Sequence, residues 1–179
     1  KVNRIQVALL LPFMTNETTQ SSATSRFVEY YEGLLLAVDS LRNMGTSIEL
    51  SVYDTGNGTK KVKEILKEDA LSNANLIIGA VQNDQIGLIA DFAQKHNIKY
   101  VIPFTSKNDD VLSNANVYQV NTPHSYLYSK AAQAGCDLFS DYNIILVNIK
   151  DKEEKPEFIK AFKTEMQQRD IPFKEVTYK

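Results

Sequence analysis

Apolar positions along the chain switch repeatedly between continuous or alternating runs and 3.6-residue spacing, which predicts strands and helices in strict succession. Arg4 to Phe13 holds the longest apolar run, Val7-Ala8-Leu9-Leu10-Leu11, and stops at Pro12, the pattern of a strand buried on both faces. Phe27, Tyr30, Tyr31, Leu34, Val38 and Leu41 then share one helical face, with Thr24-Ser25 as the expected cap and Gly45 as a left-handed stop. Ile48, Leu50 and Val52 alternate with Glu49 and Ser51, as an edge strand wet on one face would, and run into the turn Asp54 to Gly58. Val62, Ile65 and Leu66 predict a short helix, and Leu76 to Val81 a second buried strand. Asn83 or Asp84 is expected to cap a third helix that points Ile86, Ile89, Ala90 and Ala93 inward and ends near Asn97. Tyr100 to Phe104 predicts a further buried strand, and Val117 to Val120 the fifth.

Pro123 after Thr122 predicts a helix with proline at its first position, covering 124 to 139 and turning Leu127, Ala131, Ala134 and Leu138 inward. Asn143 to Asn148 reads as an apolar strand, Pro156 opens a helix with Phe158, Ile159, Phe162 and Met166, and Phe173 to Tyr178 reads as a last strand. Such alternation with short connections implies right-handed crossovers, and the class is α/β with a doubly wound parallel sheet. Five strands in residues 1–121 complete one lobe. Residues 122–179 add only two, too few to cover a sheet, so they read as a hinge at Asn121-Thr122-Pro123 and the truncated start of a second α/β lobe.

Composition narrows the function classes. The 179 residues carry a net charge of −2 with no basic block, and the densest charged segment, Lys150 to Lys155, is of mixed sign. Nucleic acid is therefore not an expected partner. A five-residue apolar run is far short of the ~20 residues a membrane-spanning helix needs, so no transmembrane segment is expected. The single Cys136 excludes an internal disulfide and leaves the compartment open. It reads as a small buried apolar residue, with a reactive thiol as the alternative. The chain starts at Lys1-Val2-Asn3, which reads as a piece of a longer or processed precursor.

The usual carriers of catalysis are missing from the pattern. His124 and Cys136 lie about 18 Å apart along one helix axis, beyond hydrogen-bond reach, and no nucleophile elbow, His-Glu-x-x-His or paired Cys-x-x-Cys occurs. No enzyme activity, metal or cofactor is expected. Gly56 and Gly58 follow a strand and precede a helix, as in a phosphate loop, but no Gly-Lys-Ser/Thr completes one. The segment reads instead as a turn, with Asn57-Gly58 supplying the positive dihedral angles. The sequons at Asn16 and Asn57 are short enough to arise by chance.

Six segments together resemble the type I periplasmic-binding-protein fold of branched-chain amino-acid receptors. They are Ile5 to Phe13, Tyr31 to Val38, Val52 to Thr55, Leu76 to Ala80, Tyr100 to Phe104 and Tyr118 to Thr122, in the family's order across nearly the whole chain. Leu10-Leu11-Pro12-Phe13 with the later Ile77-Ile78-Gly79 is similar to two subsets, the LysM-associated envelope proteins and the lipoprotein activators of penicillin-binding proteins. The resemblance implies two lobes closing on a cleft, in a chain of about twice this length.

In a sheet of this kind ligands collect at the carboxyl ends of the strands. The segments there are Pro12-Phe13-Met14, Asp54-Thr55, Val81-Gln82-Asn83, Thr105-Ser106 and Asn121-Thr122, and the pairs Tyr30-Tyr31 and Tyr126-Tyr128 read as aromatic walls or, more often for such residues, as core and boundary packing. The family holds ligand carboxylates after its third and fourth strands, positions matched here by Gln82 and Thr105-Ser106. Val81-Gln82 stands where the family has a small residue, and Phe104 precedes Thr105, both departures from its pattern. The alternative is that these are ordinary turn residues and caps. The polar stretch Met14 to Ser25 reads as a mobile loop or a lid at the same rim.

The sequence thus points to a non-catalytic, receptor-like binding protein of the bacterial periplasm or cell envelope, processed or lipid-anchored. Its expected partner is a small solute such as an amino acid, peptide or wall fragment. A second reading is a protein-interaction module that acts on a cell-wall-associated enzyme of peptidoglycan synthesis without any ligand, and a sugar- or nucleotide-processing enzyme is a third. With Ile144 to Val147 lacking cover, the chain is expected to self-associate.

Overall fold

A computed structural model of the chain describes residues 4–16, 22–149 and 156–178. The chain divides into two compact units, Lys1–Asn121 and Thr122–Lys179.

The first unit is built on five parallel strands, β1 (Ile5–Leu11), β2 (Ile48–Asp54), β3 (Leu76–Gly79), β4 (Lys99–Ile102) and β5 (Val117–Gln119), in the order β2-β1-β3-β4-β5. Every residue from Val7 to Leu11 is buried, because β1 has neighbours on both sides and helices on both faces. Ala8, Leu10, Ile77, Tyr100, Ile102 and Val117 form one core with helices α2 (Lys60–Ile65), α3 (Asp69–Ser72) and α4 (Asn83–His96). The opposite face carries Val7, Leu9 and Leu11, all buried, and α1 (Ser22–Asn43) contacts the neighbouring strand β2. A turn of 3₁₀ helix at Asp110–Leu112 precedes β5.

Several local expectations shift. Helix α1 begins at Ser22, so Thr24 is a buried helical residue and not a cap; residues 17–21 of the expected rim loop lie outside the described residues. Gly45 does stop the helix, at φ 87°. The cap of α4 is Gln82, in extended backbone, and Asn83 is already helical. Asn97 ends α4 in the left-handed conformation, with Ile98 N–H donating to Ala93. Gly56 and Gly58, at φ 55° and 65°, supply the positive dihedrals of the 54–58 turn, and Asn57 does not. Val52, expected inward, is 40% exposed on the edge strand β2.

The second unit contains α5 (His124–Phe139), β6 (Ile144–Ile149), α6 (Pro156–Gln168) and β7 (Phe173–Tyr178), with β6 and β7 paired in parallel. The cap of α5 is Pro123 itself, one residue after the expected Thr122 cap. The helix also faces the other way from the expected stripe: Leu127 and Leu138 are exposed, while Ala132 and Cys136 are buried. The cause is α6. Gly135 lets the two helices approach so closely that a Cβ there would lie 2.8 Å from the Phe162 ring, and Tyr128, Phe158 and Phe162 pack edge and face alongside. Burial raises the Cys136 thiol pKa, the behaviour of a structural cysteine. Strand β6 alternates, with Ile144 and Leu146 partly covered and Ile145, Val147 and Ile149 exposed beside Val176 and Tyr178.

Candidate functional site

The chain leaves β1 toward β2 on one side and returns to β3 on the other, so the carboxyl ends of β1 and β3 flank the point where the winding reverses. Met14 follows β1 and Ala80 follows β3, and both adopt φ 53°, a left-handed conformation that costs a non-glycine residue about 1–2 kcal/mol. Between them Gly79, at φ 121°, is forced by its neighbour: a Cβ there would lie 2.0 Å from the Leu10 carbonyl oxygen. Ala80 N–H donates to that same oxygen at 2.7 Å, and the buried Tyr100 hydroxyl donates to the Gly79 carbonyl at 2.9 Å. Burial, then the Asp110 charge, pushes the Tyr100 hydroxyl pKa up, so it remains a donor at any physiological pH.

Asp54, at the end of β2, fixes the first side of the rim. Its carboxylate accepts from the Met14 and Thr15 amides at 3.1 Å each, the Thr15 hydroxyl at 2.8 Å, the Gly56 amide at 3.0 Å and Lys61 Nζ at 2.9 Å. Burial pushes the Asp54 pKa up, but Lys61, Thr15 and the two amides outweigh it and hold the carboxyl well below the usual range. The strand-end aspartate is therefore a clamp that sets the Met14-Thr15 turn.

Gln82 and Gln85 fix the neighbouring loop. Gln82 Oε1 accepts from Gly58 N–H at 3.0 Å while its Nε2 donates to Asn57 Oδ1 at 3.1 Å. The buried Gln85 donates to the Gly56 and Gly58 carbonyls at 3.2 and 2.8 Å. Thr55 Oγ1 and Gln85 Oε1, in fully buried side chains, have no hydrogen-bond partner among the described residues, an uncommon state that marks this corner of the rim.

On the far side Thr105 Oγ1 accepts from Lys107 N–H at 3.0 Å, Asn83 makes a long 3.5 Å contact to the Lys107 carbonyl, and Asn121 Nδ2 donates to the Phe104 carbonyl at 3.1 Å. Ser106 and Val81 lie partly buried between these groups in sequence. Aromatic rings complete the rim toward α1: Phe13 meets Tyr31 at 6.0 Å, and Phe104 meets Tyr30 at 4.9 Å and Phe27 at 5.6 Å, all edge-on. All of these rings are only partly buried.

The structure thus gathers Phe13, Met14, Val81, Gln82, Asn83, Thr105, Ser106 and Asn121 at one end of one sheet. Tyr126 is 62% exposed and belongs to the second unit. Sequence reasoning missed Lys61, Gln85, Ala80 and the role of Asp54. Asp54 carried a signal, a carboxylate at a strand end before two glycines, but only the fold shows that three of its five donors come from Met14 and Thr15 after β1. A cavity of about 110 Å3 lined by Gln6, Glu49, Ser51, Tyr53 and Asn73 lies away from this rim. It is too small for a solute site, which typically needs about 300 Å3 or more. Among the described residues no group of His, Cys, Asp and Glu could hold a metal ion, and no helix is long and apolar enough to cross a membrane.

No protein-family model and no curated protein matches the chain. Solved structures do. An ABC-transporter substrate-binding protein from Desulfitobacterium hafniense, in complex with Leu, superposes with a TM-score of 0.67 at 14% identity over 98% of this chain and 51% of that one. A leucine-binding protein from Thermotoga maritima gives 0.59 at 18% identity, over 98% and 49%. A solute-binding protein from R. palustris in complex with benzoate gives 0.60 at 18%, over 97% and 48%. The chain therefore spans about half the length of these proteins, and its fold is that of a type I periplasmic binding protein.

Proposed function

We propose that the chain is part of a non-catalytic solute receptor of the bacterial periplasm or cell envelope, and that it takes a small solute such as an amino acid at the carboxyl rim of its first sheet. The observation that carries this reading is the β1/β3 switch point, where Met14 after β1 and Ala80 after β3 both hold strained left-handed backbone. Strain of this kind persists only where the surroundings enforce it, and here Asp54 and Leu10 do so. The structural neighbours that hold Leu or benzoate support the same role.

The rim divides the work between two chemistries. The start of α4 and the Thr105 and Ser106 hydroxyls suit the polar or anionic end of a solute, since helix amino termini present free amides. The partly buried Phe13, Tyr30 and Phe104 rings suit its apolar end. The segment Asn121 to Pro123 is the pivot this reading assigns to closure.

Isothermal calorimetry of the chain against amino acids, benzoate and muropeptides tests the reading. Saturable but weak heat is expected from at least one member, because the chain spans only half of a two-lobed receptor. Absence of heat from every member at millimolar solute would overturn it.

A further inference from the structure

The sequence contains one Asn-Gly pair, Asn57-Gly58, and the fold places it on the surface at the rim. Asn-Gly is the dipeptide in which a backbone amide most readily attacks the preceding side chain, because glycine has no Cβ to obstruct the approach. Asn57 is exposed, so water reaches the product of that attack. Both reacting groups are nevertheless engaged by a single side chain. The nucleophile, Gly58 N–H, donates to Gln82 Oε1 at 3.0 Å, and the amide to be attacked accepts through Asn57 Oδ1 from Gln82 Nε2 at 3.1 Å. Gln85 adds a second hold on the loop through the Gly56 and Gly58 carbonyls.

We propose that Asn57 is a site of spontaneous conversion to aspartate and isoaspartate, and that Gln82 sets its rate by clasping both reacting groups. In the first step the Gly58 nitrogen loses its proton and bonds to Cγ of Asn57, the bond from Cγ to the side-chain nitrogen breaks, and ammonia leaves. Water then opens the resulting five-membered ring. Opening at one carbonyl gives aspartate, and opening at the other gives isoaspartate, in which the main chain runs through the former side chain. No oxidant or cofactor is needed, only water. Either product adds a negative charge to the loop, and the isoaspartate also lengthens the backbone between Gly56 and Gly58, which pulls Gly58 N–H off Gln82.

The attack requires Gly58 N–H to leave its acceptor, so the folded loop reacts more slowly than the free dipeptide. Removing the acceptor is expected to speed conversion about tenfold, the factor that corresponds to one ordinary hydrogen bond no longer having to break. The experiment is peptide mapping by mass spectrometry, with isoaspartate separated by chromatography, on protein aged at mildly alkaline pH. Wild type, Gln82→Ala and Gln82→Glu are compared, together with wild type aged in urea. Gln82→Ala should convert faster than wild type but remain below the urea-unfolded chain, because Gln85 still holds the Gly56 and Gly58 carbonyls. Gln82→Glu, which keeps an oxygen acceptor for Gly58 N–H but loses the donor to Asn57 Oδ1, should fall between wild type and Gln82→Ala. Equal rates in native and urea-unfolded wild type would overturn the clasp without recourse to any variant. Equal rates in wild type and a Gln82→Ala protein with unchanged circular dichroism would overturn the role of Gln82.

Discussion

Gly79→Ala is the sharpest perturbation of the β1/β3 crevice. At φ 121° an alanine occupies backbone that is essentially glycine-only, at a cost of about 1–3 kcal/mol. Its Cβ would lie 2.0 Å from the Leu10 carbonyl oxygen, 2.9 Å from the Leu10 carbonyl carbon and 3.2 Å from the Leu10 nitrogen, all backbone atoms that no rotamer change can move aside. Relief requires β3 to shift away from β1, which strains the Ala80 to Leu10 hydrogen bond, worth about 1 kcal/mol. Together these predict a loss of about 3 kcal/mol or more, a large fraction of the ~5–15 kcal/mol that holds a domain together. Gly33→Ala is the matched control. That glycine lies inside α1 with nothing within 4 Å of a built Cβ, so the same chemical change should stabilise by about 0.5–1 kcal/mol. Urea unfolding followed by circular dichroism reads both, with the slope checked for a second transition from the other unit. A Gly79→Ala variant within about 1 kcal/mol of wild type would show that β1 and β3 do not meet as described.

Ala80→Gly removes left-handed strain worth about 1–2 kcal/mol, but it adds about 0.5–1 kcal/mol of chain entropy on unfolding and deletes a fully buried methyl worth about 0.8 kcal/mol, so stability within about 1 kcal/mol of wild type is expected in the same urea assay. Asp54 has a folded pKa below its unfolded value of about 3.9, so its contribution is fully present above about pH 4 and is lost as pH falls toward the folded value. Asp54→Asn should therefore lower the urea midpoint at neutral pH and flatten its fall on the acid side; an unchanged acid limb would argue against the clamp. The exposed face of Ile145, Val147, Ile149, Val176 and Tyr178 is expected to drive association at micromolar protein, with Val147→Lys shifting light scattering toward the monomer. A monomeric wild type would count against that expectation.

The fold was legible where one periodicity dominated. Val7 to Leu11, buried throughout, and Ile86, Ile89, Ala90 and Ala93 of α4 are placed by local pattern alone, because their environments are uniform along the element. Faces failed where the neighbour decides. Leu127 and Leu138 make a good apolar stripe on α5, yet Gly135 permits a closer helix crossing on the side of Cys136, and that contact wins. Caps failed by one position at Gln82 and Pro123, where no side-chain hydrogen bond makes the cap and so no residue type signals it. At the rim the segments were legible from the rule that strand ends gather ligands. The strain at Ala80 and the three donors that Met14 and Thr15 bring to Asp54 were not, since both depend on segments distant in sequence.

The central claim is that a solute binds at the carboxyl rim of the first sheet, and an amide-resolved NMR titration with L-leucine and with benzoate tests it most directly. The account predicts saturable shifts grouped at residues 13–15, 80–83 and 104–106, where Met14, Ala80, Gln82 and Thr105 hold the crevice. Spectra unchanged by either solute, or shifts gathered instead around the Gln6 and Asn73 cavity, would contradict it.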